Sequence, residues 1–214
     1  MAFITALREV KNSVLVQVDN HPFARVPLRW VSEMGLASGQ EVDTEELGCE
    51  IARRQFAPAY RLALEMLAAS AMSRRDLMRK LANKGCCAET LRLITERLEE
   101  EGYLSDAGYA ANRARVTAAR GKSRRAAAID LRQHGISGED IDAALADWDE
   151  DREKRAALTV ARRYLRAHGR AEDAAERRHV RQLCLAALYR RGYSPAICRE
   201  ALETAASELE SDEK

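Results

Sequence analysis

Histidines, cysteines and carboxylates are the residues most able to do chemistry, and their spacing in this sequence argues against it. None of the four histidines (His21, His134, His168 and His179) lies three or four residues from another or from a cysteine, the spacing at which a helix turns two ligands toward one metal ion. His179 and Cys184 are five apart and fall on different faces of a helix. The five cysteines, Cys49, Cys86, Cys87, Cys184 and Cys198, form no CxxC pair, and an odd number does not suit a disulfide scaffold. Cys86 and Cys87 fall at a helix start, where a thiolate is favoured, but no histidine is near them in sequence. Glu99, Glu100 and Glu101 are adjacent, and adjacent helical side chains diverge, so they do not make a paired acid and base. There is no HExxH, phosphate loop or dinucleotide-binding glycine motif. The expectation is a protein that is not an enzyme and uses no cofactor or metal.

The basic residues are more suggestive. Arg74, Arg75, Arg79, Lys80 and Lys84 crowd one stretch; Arg120, Lys122, Arg124, Arg125 and Arg132 crowd a second; Arg177, Arg178, Arg181, Arg190 and Arg191 crowd a third. The whole chain is nearly neutral, with 35 Lys and Arg against 34 Asp and Glu. Residues 151–200 nevertheless hold 13 basic and 6 acidic residues, and 200–213 are acidic. Two readings stay open. These are ordinary solvated helix faces, or they form a discontinuous track for phosphates or for an acidic protein surface. Nothing in them specifies a base sequence.

The elements that carry these residues repeat. SRRDLMRKLANKGCCAETLRLI from Ser73 aligns with SRRAAAIDLRQHGISGEDIDAA from Ser123 at an offset of 50. HVRQLCLAALYRRGYSPAICREAL follows as a third copy, 57 residues after the second. Leu81, Leu131 and Leu188 correspond, as do Gly85, Gly135 and Gly192. Each copy reads as a helix, a glycine stop, a short turn and a second helix. Ser137 with Asp140 makes a capping-box pattern, and Ser194 precedes a proline at the first helical position. A further helix precedes each pair, over Tyr60–Ala69, Asp106–Ala119 and Asp151–His168. Units this small bury little core alone and must lean on neighbours.

The start of the chain is different. Phe3–Val10 and Ser13–Val18 read as strands, the latter through alternating Val14, Val16 and Val18, with turn chemistry at Asp19-Asn20 and a third strand over Phe23–Val26. A short helix over Leu28–Met34 and a helix capped by Asp43 complete a small α+β unit, with a boundary expected near Pro58. The fold expected is mainly α, with tandem three-helix units in an elongated array after that unit. Its divisions are 1–58, then repeats over 59–105, 106–148 and 149–210, then an acidic tail end over 211–214. No apolar export core or membrane span is evident, so a cytoplasmic protein is expected. With no heptad seam, a monomer is expected.

These residues resemble a known family, the RecX regulators of the bacterial recombinase RecA. EEEGYLSDAGYAANRA carries the strongest likeness, through Gly102, Tyr103, Leu104, Asp106, Tyr109 and Ala110. LANKG at Leu81–Gly85, LRQHG at Leu131–Gly135 and LYRRGYSPAICREAL at Leu188–Leu202 follow in order. VKNSVLVQVDNHPFARV resembles an N-terminal extension that many members carry. Two departures stand out: RGKSRR lacks the aromatic that often follows this glycine, and Cys87 stands where Ser137 and Ser194 cap. The latter should weaken that helix start by up to roughly 1 kcal/mol.

The resemblance implies a curved modular array lying along the groove of a RecA filament on single-stranded DNA. It implies restraint of strand exchange, ATP hydrolysis and the co-protease activity of the damage (SOS) response, and so a role in recombination and DNA repair. The contact candidates are Arg74, Arg75, Arg79, Lys80, Arg120, Lys122, Arg124, Arg125, Arg132, Arg177, Arg178, Arg181, Arg190 and Arg191. Tyr103, Leu104 and Tyr109 are expected to pack between repeats. The partner is the RecA filament, with single- or double-stranded DNA beside it and no membrane. A general DNA-binding or architectural protein without recombinase specificity is the alternative, and a scaffold for another protein is a second.

Overall fold

A computed structural model describes residues 2–168 and 173–212, so the last two residues of the expected tail lie outside the described residues. The chain divides into two compact units, 1–105 and 106–214.

The first unit opens with strands β1 (Ala2–Val10), β2 (Ser13–Val18) and β3 (His21–Pro27), then helix α1 (Leu28–Glu33), a two-residue strand β4 (Glu41–Val42) and helix α2 (Thr44–Ala69). The sheet order is β3-β2-β1-β4, antiparallel throughout. The β2–β3 turn places Asp19 and Asn20 at φ 47° and 65°, the left-handed pair that a tight hairpin needs. Val14, Val16 and Val18 all face the core, where Leu47, Ile51 and Ala52 of α2 cover them. Asp43 caps α2 by accepting from the backbone N–H groups of Glu45 and Glu46 at 2.8 and 3.0 Å.

The boundary expected near Pro58 is not a helix boundary, and Tyr60–Ala69 is not a separate helix. α2 runs through Pro58 as one element of 26 residues. A mid-helix proline costs about 3 kcal/mol. Burial on both sides outweighs it: Leu47, Ile51 and Ala52 pack under the sheet, while Ala59 and Ala63 pack against the first repeat. Pro58 itself is exposed.

The first repeat continues with α3 (Arg74–Asn83) and α4 (Ala88–Glu100) around Leu77, Leu81, Ile94 and Leu98. The second unit holds α5 (Asp106–Ala119), α6 (Arg124–Gln133) and α7 (Gly138–Ala144), then α8 (Glu150–His168), α9 (Ala174–Arg190) and α10 (Pro195–Asp212). Each set of three has its own core, around Leu131, Ile141 and Leu145 in one and around Leu165, Leu188 and Cys198 in the other. Helices α3 and α6 are both 10 residues long, and Ser73 and Ser123 cap them through Asp76 N–H and Ala126 N–H. α9 has 17 residues. Its last ten, Arg181–Arg190, are the counterpart of α6, so this helix begins seven residues earlier in its repeat than α6 does. Asp173 caps the extended helix instead of a serine.

The glycine turns join what precedes them. Gly85 sits at φ 96° after α3, and its carbonyl accepts the β3 N–H of Arg25 at 2.8 Å. A Cβ on Gly85 would collide with the Arg25 Cβ, and the Arg25 N and Cα would stand at 3.2 Å. Gly192, at φ 88° after α9, repeats the arrangement against the second repeat: the Arg191 carbonyl accepts the Ser123 N–H at 2.9 Å, and a Cβ would meet Ser123 Oγ at 2.6 Å. Tyr193 follows, buried, and its hydroxyl donates to the Gly121 carbonyl at 3.1 Å.

Gln55 completes the first joint. Its amide nitrogen donates to the Arg25 and Gly85 carbonyls, both at 3.1 Å. Its amide oxygen accepts from Cys87 N–H at 3.0 Å and Thr90 Oγ1 at 2.8 Å. Cys87 makes no side-chain cap, as its sequence position suggested; Gln55 takes the orphan N–H in its place.

Gly85→Ala and Gly192→Ala should each lower unfolding free energy by about 2–4 kcal/mol, through left-handed strain and overpacking together. Gly102→Ala, with open space around it, should lose only about 1 kcal/mol; urea titration separates the two classes. Gln55→Ala should cost about 2–4 kcal/mol by stranding buried polar groups, read from the same titration.

Candidate functional site

The middle helices α3, α6 and α9 carry the basic candidates, but the structure divides these residues by what they touch. Arg74, Arg124 and Arg181 occupy the same repeat position. Each reaches a carboxylate on the third helix of its own repeat. Arg74 pairs with Glu99 of α4 at 3.1 Å, Arg124 with Asp142 of α7 at 3.8 Å, and Arg181 with Glu210 of α10 at 3.1 Å. The recurrence of arginine at this position therefore has an internal cause, a link between the second and third helices. Arg79 pairs with Asp76 at 2.7 Å, and Arg191 donates to the Ala187 carbonyl at 3.1 Å.

The remaining candidates are exposed and have no carboxylate within 4.0 Å among the described residues. They are Arg75 and Lys80 in the first unit, and Arg120, Lys122, Arg125, Arg132, Arg177, Arg178 and Arg190 in the second. Arg177 and Arg178 lie in the seven-residue extension of α9 and have no counterpart in α3 or α6. Arg120 and Lys122 flank the Gly121 turn that leads into α6.

The acidic end of the chain is used internally. Glu200, Glu208 and Glu210 of α10 pair with Lys154, Arg162 and Arg181 in turn. Arg162 makes a two-pronged contact with Glu208, its Nε at 2.6 Å. The basic excess of residues 151–200 is thereby partly neutralised within the third repeat.

α6 is held to α5 by Arg113, whose Nε and Nη2 donate to Asp130 at 2.6 and 3.0 Å. Those hydrogen bonds hold the Asp130 carboxyl below its usual value of 3.8. Of the residues expected to pack at repeat junctions, Tyr103 is 61% exposed, whereas Leu104 is 3% exposed in the core of the first repeat. Gly102 and Tyr103 close α4, the Tyr103 N–H reaching the Leu98 carbonyl at 2.9 Å. Tyr109 is half-buried in the second repeat and meets the His134 ring edge-on at 5.6 Å.

Serial three-helix modules with charged, solvent-facing helices and a small sheet at the start define a modular, mainly helical protein. Similarity to known proteins makes the class specific. Residues 105–145 match the family model described as RecX, second three-helix domain. The chain is 36% identical over 151 residues to the regulatory protein RecX of Mycobacterium leprae (strain Br4923), covering 70% of this chain and 86% of that protein. It is 31% identical over 167 residues to the RecX of Mycobacterium sp. (strain JLS), covering 77% and 87%. A crystal structure of a regulatory protein RecX superposes with a TM-score of 0.59 at 22% identity, over 95% of this chain and all of that one. RecX from Lactobacillus salivarius gives 0.60 at 17% identity, over 72% and 98%. The chain belongs to the RecX family of regulatory proteins.

Among the described residues no helix is long and apolar enough to cross a membrane. Cations that recurrence did not single out include Arg115, Arg152 and Arg163. They lie on first helices of repeats, where no recurrence across the copies draws attention to them.

The Arg113–Asp130 pair predicts an acid dependence. Asp130 has a lower pKa folded than unfolded, so its stabilisation is complete above about pH 4 and is lost as pH falls through the depressed folded value. Asp130→Asn should cost about 1 kcal/mol at neutral pH and flatten the acid limb of a plot of stability against pH. Urea midpoints taken from pH 7 down to pH 2.5 measure both effects.

Proposed function

We propose that the protein restrains a RecA recombinase by lying along its filament on single-stranded DNA, limiting strand exchange, ATP hydrolysis and co-protease activity. RecX-family membership is the observation that carries this reading. The surface chemistry suits it. Three-helix modules over 59–105, 106–148 and 149–210 each offer helix surface to a partner without requiring a deep pocket. Each retains cations that its own carboxylates leave open: Arg75 and Lys80 in the first, Arg120, Lys122, Arg125 and Arg132 in the second, Arg177, Arg178 and Arg190 in the third. Such cations steer association with an acidic filament groove and its DNA, and the contact weakens as salt rises. The reading needs no cofactor and takes the protein as a cytoplasmic monomer.

The test is ATP hydrolysis by the cognate recombinase on a filament assembled beforehand on single-stranded DNA. Substoichiometric wild-type protein should suppress it. Replacing Arg120, Lys122, Arg125 and Arg132 with alanine should weaken filament binding by roughly ten- to a hundredfold at low salt, read as a shift in the inhibition curve. Unchanged binding and inhibition would remove these four residues from the contact. DNA binding by the wild-type protein without any change in hydrolysis would replace this reading with that of a general DNA-binding protein.

A further inference from the structure

Within the second unit, the C-terminal half of α5 and the Gly121 turn face α8 across an open cleft. Two adjoining cavities of about 320 and 570 Å³ make it up, and both are floored by Ala118, Ala119 and Ala156. Cations ring these small residues. Arg115, Lys122 and Arg152 line one cavity, and Arg120, Arg163 and Arg191 line the other. None of the six has a carboxylate within 4.0 Å among the described residues. Elsewhere on α8, Lys154 and Arg162, which face α10, are both paired with its glutamates, whereas Arg155 and Arg166 have no carboxylate within 4.0 Å among the described residues.

The lone carboxylate among the described lining residues is Glu153, and the backbone N–H of Arg124 already occupies it at 2.7 Å. Arg152 is steered by its own surroundings, its guanidinium lying 5.3 Å over the Trp148 ring and donating to the Asp147 carbonyl. At the other end of the cleft, Tyr164 and His168 stack with ring centroids 4.5 Å apart, and His168 is exposed. From Arg152 to His168 the cleft follows one helix for roughly 24 Å at about 1.5 Å per residue.

We infer that this cleft between the second and third repeats binds the phosphodiester backbone of a single-stranded nucleic acid. Six cations face one lining carboxylate, Glu153, which pairs with none of them, so a polyanion gains their attraction without first breaking an ion pair. The alanine floor lets a narrow strand approach closely. The cleft's length accommodates several phosphates at the ~3.4 Å spacing of a stacked strand. The Tyr164–His168 stack offers an aromatic face to a base, which an acidic peptide would not use. The inference deepens the filament reading by naming a strand contact, and it rests on that reading only for where such a strand is met.

The test is fluorescence anisotropy of a labelled 20-nucleotide oligothymidylate with the full chain, from 50 to 200 mM salt. Arg115→Ala with Arg163→Ala removes one cation from each wall. Arg155→Ala with Arg166→Ala removes the same charge from elsewhere on α8, since neither residue lines the cleft. The first pair should weaken binding at least about tenfold and make the salt slope shallower by about 1.4, at roughly 0.7 per phosphate contact on a single strand. The second should stay within about twofold. Equal urea midpoints for both pairs show that the fold is intact.

Equal effects of the two pairs, or none from the first, would overturn the inference. So would polyglutamate displacing the oligonucleotide at matched charge, which would mark an acidic protein as the occupant. The filament assay keeps the two readings apart. Suppressed hydrolysis by a wild-type protein that does not bind free oligothymidylate sinks the cleft alone. Strand binding lost in the first pair, with hydrolysis untouched by wild type, supports the cleft and sinks the filament reading.

Discussion

The close approach of two backbones at a left-handed glycine is the constraint on which the rest of this structure depends. A three-helix module of about 45 residues buries too little apolar surface to stand without help. At Gly85 and Gly192 the chain stops a helix and, with the same residue, seats the module on what precedes it. Any side chain there would hold the two backbones apart and leave the Arg25 or Ser123 N–H without its acceptor. The first joint is reinforced by Gln55, whose amide meets a strand, a turn and a helix start at once. The second is reinforced by the Tyr193 hydroxyl on Gly121. Different side chains thus secure one backbone solution.

Charge is divided between holding each module together and facing outward. Arg74, Arg124 and Arg181 each tie a second helix to a third. These pairs are partly exposed and individually modest, at about 0–1 kcal/mol each, and they fall at one common repeat position. The glutamates of α10 likewise tie it to α8 and α9. What remains unpaired is concentrated where helices meet solvent and along the cleft beside α8. A near-zero net charge conceals this separation, because one acidic helix balances cations that no partner would see.

Much of the architecture was legible in the sequence because it is local. The valine alternation of β2, the Asp43 cap, the bounds of α5 and the glycine stops all follow from short-range stereochemistry. Helix α2 was not legible, because Pro58 is a local breaker overruled by burial on either side of it. The basic candidates were found by recurrence, and recurrence does not distinguish an arginine that clamps its own module from one that faces a partner. Arg74 and Arg75 are neighbours in sequence, yet only the first has its carboxylate at hand. The cleft cations come from α5, α8 and two turns, and only tertiary structure assembles them.

The extra length of α9 has a consequence for how such an array can change. The added residues precede the packed stretch of the helix, so the orientation of Cys184, Leu188 and Gly192 is set by their own burial and not by how far the helix extends upstream. A module can lengthen its middle helix at that end while the glycine seat at the other end stays as it is, and in this chain the added turns carry two outward arginines, Arg177 and Arg178.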